Sequence, residues 1–435
     1  MAAVADALES PLAPGLQADA DLLDADGPPG LSKADVARGF KVLAITTFAM
    51  QITMNLFQTI SSNFFRDEIG MTGAQNGYLI AIRELPGFLL IFVAAALLRL
   101  GLARATAFSL LIAGVGFMVF APMHSVAWVI VPTLISSVGY HSWLQLQNAL
   151  GLSLARKGEE GSVLGRFSAI GFAGGMIAMI GVLVALGFVW WWTGDLRANQ
   201  GPVLRGVWLF AGATAIIGSF MIRRFPTSHD DRAAARLAPR ITWRREYRLY
   251  YLLSFLDGSR QQIYFAFAPF VLVEHFNLNV FYLTAIQITA AMINWRTGPW
   301  IGRLVDVRGE KRVLTMGYCM HLTVFIGFAL APNVWLAAVA YLGYNFLFLF
   351  SIGTTTYLKK ISRREDLAPS LAMGVSLSHL TAIVVPVFGA ALWNQLGYQF
   401  PFLFGTLFIF LSLYATQKID VVRQRIAPAD GAATA

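Results

Sequence analysis

The sequence predicts an all-α integral membrane protein whose twelve transmembrane helices form two pseudo-symmetric six-helix bundles. Three observations predict it. Of 435 residues, 57% are hydrophobic and only 13% are charged, and the mean hydropathy is +0.60. A soluble globular chain holds about 45–50% apolar and about 25% charged residues. Apolar runs of span length recur along the chain, and Lys and Arg gather in alternate loops.

The elements follow in chain order. Residues 1–38 are rich in Ala, Asp and Pro, lack a long apolar run, and read as a disordered acidic cytoplasmic tail rather than a signal peptide. Spans are expected at 40–62, 75–98, 104–123, 126–150, 166–190 and 205–222. A second set follows at 249–273, 279–300, 312–331, 334–357, 369–393 and 399–417. Each can cross about 30 Å of hydrocarbon at about 1.5 Å per residue. With the amino terminus inside, the odd-numbered loops hold only Arg66, Arg197 and Arg205. Arg83, Arg260 and Arg296 fall within spans, and every other Lys or Arg lies on the inside. That bias places both ends in the cytoplasm of a multi-pass protein of the plasma (cell inner) membrane.

The long loop between spans six and seven carries eight arginines and divides the chain in half. The domains are therefore a tail (1–38), a first bundle (39–223), a basic linker (224–247), a second bundle (248–418) and a short cytoplasmic tail (419–435). Residues 165–187 of span five share a small-residue rhythm with 370–392 of span eleven, which supports an internal repeat. Two related six-helix halves are the plan of an alternating-access carrier.

Several chemistries lack their residues. There is no GxxxxGK[ST] phosphate loop and no HExxH, and Cys319 is the single cysteine. No enzyme activity, cofactor or metal site is expected. Topology explains the loop arginines, so no nucleic acid is expected as a partner.

The loop GRLVDVRGEKR (302–312) couples Gly302, Asp306, Arg308, Gly309, Lys311 and Arg312. It resembles the signature gating loop of the major facilitator superfamily, where glycines allow a tight turn and an acid–base pair locks one conformation. The resemblance implies twelve helices with spans one, four, seven and ten around a central cavity. Departures exist. The equivalent loop LRLGLARATA (98–107) lacks the Asp. Span four carries YHSWLQLQN (140–148) in place of a membrane arginine, and span five has no Gly-Pro pair. These argue against a standard multidrug antiporter.

Ionisable groups inside spans are functional candidates by default. Span seven carries Asp257, Arg260 and Gln261 on one face, with Asp257 roughly 13 Å along the helix from Arg248. Span two holds Arg83 and Glu84, which point about 100° apart as helix neighbours. Gln51 and Asn55 form a polar stripe on span one, and Asn345 clusters with Tyr341 and Tyr344 on span ten. His141 and His379 lie among polar neighbours in spans four and eleven, whereas His321 reads as a packing group. The candidates for solute binding are Gln51, Asn55, Arg83, His141, Asp257, Arg260, Gln261 and Asn345. Those for proton coupling are Glu84, Asp257 and His379.

The expected function is secondary active, proton-coupled transport of a small polar or zwitterionic organic solute. Its partners are that solute, protons and the lipid bilayer, and a monomer is expected. One alternative is export of a lipophilic compound or lipid. Another is a non-transporting sensor or assembly factor on the same scaffold.

Overall fold

The computed structural model describes residues 31–89, 100–155, 160–226 and 243–421. The tail of residues 1–30, most of the linker (227–242) and the end of the chain from 422 lie outside the described residues. All regular structure among the described residues is helical.

The first half contains α1 (Lys33–Asn63, ending in a π turn over Phe64–Glu68), α2 (Gly73–Phe88), α3 (Leu102–Val119), α4 (Val126–Ser153), α5 (Glu160–Thr193) and α6 (Leu196–Ile222). The second contains α7 (Arg248–Glu274), α8 (Val280–Arg308), α9 (Glu310–Ala329), α10 (Val334–Ile361), α11 (Arg364–Leu396) and α12 (Gln399–Thr416). The ladder of α10 tightens into a 3-10 turn at Leu349–Ser351.

Helix starts follow capping chemistry. Ser32 accepts from the Asp35 amide, so Lys33–Arg38, read from sequence as tail, are the first turns of α1. Thr72 and Gln75 form a reciprocal capping box at α2. Asp195, Asn279 and Asn333 cap α6, α8 and α10. The Asp195 cap starts α6 well before the apolar run at 205.

Among the described residues, eight helices are long and apolar enough to cross a bilayer by length and composition: α1, α3, α5, α6, α9, α10, α11 and α12. The other four, α2, α4, α7 and α8, carry polar groups in their middles, including Arg83, Glu84, His141, Asp257, Arg260 and Arg296. Such groups need a protein or water environment rather than lipid.

Packing obeys a shift of six helices. α1 packs on α6 as α7 packs on α12, and α1 on α5 as α7 on α11. The pairs α3–α6, α3–α4 and α2–α4 recur as α9–α12, α9–α10 and α8–α10. The halves meet through α2–α11 and α5–α8, which the same symmetry exchanges. Each bundle has its own core. Phe57, Phe117, Phe120 and Trp208 pack together in the first, and Tyr264, Phe325, Tyr344 and Phe402 in the second.

Glycine permits a close approach between bundles. A Cβ on Gly77 of α2 would stand 2.8 Å from the Phe267 ring and 2.9 Å from the Ala390 methyl. Hydrogen bonds between bundles gather at the odd-loop end. Asn63 Nδ2 donates to the Leu278 carbonyl (3.2 Å), the Gly73 amide to Glu274 (3.1 Å), Asn76 Nδ2 to the Ala266 carbonyl (2.7 Å) and Arg197 to the Asn277 carbonyl (3.3 Å). The bundles are joined at that end.

Candidate functional site at the bundle junction

The α2–α11 contact carries charge at its centre. Glu84 is a buried carboxylate on α2. Arg83 donates to its Oε1 through both Nε (3.1 Å) and Nη2 (2.7 Å). The neighbours on the helix thus turn their long side chains toward each other, although their Cα–Cβ bonds diverge. The Arg83 guanidinium also lies over the Phe57 ring of α1, 5.3 Å from its centroid.

Glu84 Oε2 faces two imidazoles. His141 Nε2 on α4 stands 3.4 Å away, and His379 Nδ1 on α11 also 3.4 Å. The rings meet edge to face at 5.5 Å. Gly87, one turn beyond Arg83, makes the room: a Cβ there would lie 2.6 Å from His141 Cδ2. The site therefore joins α2 and α4 of one bundle to α11 of the other. His141 and Glu84 are buried, whereas Arg83 and His379 keep 27% and 26% of their side chains exposed, so the site opens on one side.

The hydrogen bonds of His141 place a hydrogen on its Nδ1. Its Nδ1 is 3.0 Å from both the carbonyl and the Oγ of Ser137. A carbonyl only accepts, and Ser137 Oγ donates its own hydrogen to the Arg83 carbonyl. Nδ1 therefore carries hydrogen and Nε2 turns toward Glu84.

The Asp257–Arg260 pair lies elsewhere. Arg260 Nη2 donates to Asp257 Oδ1 at 3.0 Å. Tyr318 of α9 donates to the same oxygen (2.8 Å), and Thr354 of α10 to Oδ2 (3.0 Å). The Tyr318 ring takes the Arg260 guanidinium on its face at 5.3 Å. Arg260 is 2% exposed. These partners all belong to the second bundle. His321 sits in the same region, with Nδ1 donating to the Gly317 carbonyl of its own helix. Tyr318 and Thr354 had no sequence signal, because their link to Asp257 spans 61 and 97 residues.

The other candidates are dispersed. Gln51 and Asn55 pack on the glycine face of α5, at Gly171 and Gly175, and Asn55 Nδ2 donates to the Gln51 carbonyl. Gln261 is half-buried on α7. Asn345 is half-buried on α10 and donates to the Tyr341 carbonyl. Four candidates converge at the junction: Arg83, Glu84, His141 and His379.

The signature loop is tighter than its sequence suggests. Gly302 lies within α8, and Gly309 alone separates α8 from α9, with φ +77° and ψ 157°. Asp306, Arg308 and Arg312 are exposed. Lys311 donates to the Gln417 carbonyl beyond α12 (2.7 Å). The carboxylate of this loop that is buried and ion-paired is Glu310, 2.6 Å from Lys360 at the end of α10. In the other half, Gly101 precedes α3 with φ +78° and ψ 152°. The turn is thus repeated although the loop's acidic residue is not.

Two bundles of six helices with a half-open charged site at their junction are the plan of a membrane transporter. The family model of the Major Facilitator Superfamily matches residues 43–365, and the chain belongs to that superfamily. Solved structures share the fold. A nucleoside transporter, NupG, is 16% identical with a TM-score of 0.67, over 88% of this chain and all of that one. A bacterial homologue of the human lysosomal transporter Spinster, in an inward-facing and occupied conformation, is 12% identical with a TM-score of 0.68, over 92% of this chain and all of that one. No curated protein sequence matches the chain.

Proposed function

We propose that the protein moves a small polar or zwitterionic organic solute across the cell's inner membrane by alternating access, as a monomer driven by a proton gradient. The observation that carries this reading is the contact of Glu84 with His379 across the two bundles. A site shared by two rocking bodies must be remade whenever they move, so a solute bound there changes the balance between states. Arg83 and Glu84 offer both signs of charge, and the imidazoles add donors and acceptors, which suits a zwitterion. Without a phosphate loop, a gradient is the energy source the chain can use.

The basic residues of the even loops support an orientation with both termini in the cytoplasm. In that orientation the end where the bundles join faces outward, and a cavity between the bundles is proposed to open to the inside. Gln51, Asn55, Gln261 and Asn345 are proposed as its outer lining. Asp257 and Arg260, held inside the second bundle, are proposed to shape that cavity from behind.

A thermal-shift screen of the purified protein against polar metabolites comes first, since a ligand that binds only the folded state raises the melting temperature. Uptake into proteoliposomes with an imposed pH gradient follows. Accumulation of a hit that collapses with a proton ionophore is expected. Exchange indifferent to the ionophore would sink the proton-driven reading, and a panel of lipids that alone shifts the melting temperature would sink the polar solute.

A further inference from the structure

We infer that Glu84, His141 and His379 form a binding site for a divalent transition-metal ion of the zinc type, and that the ion bolts the first bundle to the second. The donor set is two imidazole nitrogens and one carboxylate oxygen, a combination that zinc takes readily while keeping a fourth position open. All three donor atoms lie within 4.8 Å of one another.

The distances fit. Zinc held at about 2.0–2.2 Å in a tetrahedron sets neighbouring donors about 3.3–3.6 Å apart. Two of the three edges, Glu84 Oε2 to His141 Nε2 and to His379 Nδ1, are each 3.4 Å. The third edge, between the imidazoles, closes by a small tilt of α11 toward α4. That tilt is a movement of one bundle against the other, so occupancy of the site and the state of the transporter are linked.

The hydrogen bonds fit as well. Because His141 Nδ1 bonds to the Ser137 carbonyl and hydroxyl, Nε2 is the nitrogen left to ligate a metal. Glu84 Oε2 stands 3.4 Å from it. The two atoms face each other across a gap of the size a bound metal ion spans. A ligating histidine whose second nitrogen donates to a backbone carbonyl is the usual outer-shell arrangement of zinc sites. Arg83 occupies Oε1 and leaves Oε2 to the imidazoles. The exposed edge of His379 supplies the entry path and the open fourth position.

The inference goes beyond the transport reading and does not depend on it, since a protein can bind zinc here whatever solute it moves. The test is calorimetric titration of the full-length, tag-free protein in detergent with Zn²⁺. Saturable binding of one ion is expected, weakened about tenfold or more by His379→Ala, the loss of about 1.4 kcal/mol. Because the His379 side chain lies at the open edge of the site, 26% exposed, that variant should remain folded, and an unchanged melting temperature without metal checks it. Glu84→Gln should weaken binding similarly. His124→Ala, which removes a histidine remote from the site, should leave it unchanged. Zn²⁺ should also raise the melting temperature of the wild type but not of His379→Ala. No saturable binding, or binding that survives His379→Ala, overturns the inference.

Discussion

The Glu84 site and the Asp257 site contain the same ingredients in opposite settings. Each has a carboxylate, an arginine one to three residues away, an aromatic ring under the guanidinium and an imidazole nearby. Around Asp257, every partner rides on α7, α9 or α10 of one bundle. Around Glu84, the partners come from α2, α4 and α11 and so from both. A cluster inside one rigid body travels with it, whereas a cluster split between two bodies is remade in each state. On the proposed alternating-access reading, charge in the membrane is thus not by itself the mark of a working site; its distribution over the two bundles is.

The largest expected effect tests the internal cluster. Arg260→Met leaves the Asp257 carboxylate buried without its counter-charge, a loss of about 3–5 kcal/mol. Thermal unfolding in detergent should show a strongly destabilised or unrecoverable protein. The double change Asp257→Leu with Arg260→Met removes both charges and should recover most of that loss. If the double variant folds but cannot transport, the contrast between the two clusters fails.

Glu84→Gln comes next and should act in the opposite manner. Arg83 loses its counter-charge, yet it is 27% exposed and can be hydrated, so the melting temperature should change little. The contact with His379 loses the carboxylate's charge, and a hydrogen bond to a charged group is worth about 1.5–3 kcal/mol. The balance between states should shift by about tenfold or more, and solute uptake should fall accordingly. Unimpaired uptake would break the assignment of the working site to the junction.

Much of this architecture was legible in the sequence. Twelve apolar runs and alternating loop charge carry the span count because lipid tolerates few other patterns. The pair Asp257–Arg260 was legible because i, i+3 spacing is local geometry. Arg83, Glu84, His141 and His379 each stood out as ionisable groups in spans. Their meeting did not, because it depends on α2 packing against α11, and no spacing relates residue 84 to residue 379. For the same reason the proposed zinc site was not foreseen: its three donors come from three helices. The start of α1 was misplaced because an apolar run marks the membrane, not the cap at Ser32.

The halves can also be compared at their turns. Gly101 and Gly309 share a backbone conformation that L residues rarely adopt. No atom lies within 4 Å of where a Cβ would stand on Gly309, so the demand there is conformational rather than steric. Gly309→Ala and Gly101→Ala should each destabilise by about 1–3 kcal/mol. Gly181→Ala, in the ordinary helical backbone of α5 and also in open space, should stabilise by about 0.5–1 kcal/mol. Unequal losses at the two turns would mean that the repeat in backbone is not a repeat in energetics.

The smallest effect is expected one residue beyond those glycines. Leu102 and Glu310 occupy the same place after the turn and are 3% and 2% exposed. One half fills the place with an apolar side chain, the other with a carboxylate paired to Lys360, whose own side chain is 42% exposed. A lysine that reaches water contributes little net Coulomb energy, about 0–1 kcal/mol for such pairs, and burying the carboxylate offsets part of even that. Glu310→Leu gives the second half the chemistry of the first. It should leave the unfolding transition within about 1 kcal/mol of the wild type, because two buried groups of similar size are exchanged and Lys360 returns to solvent. A larger loss would show that this pair braces the loop between α8 and α9 in a way its counterpart before α3 does without.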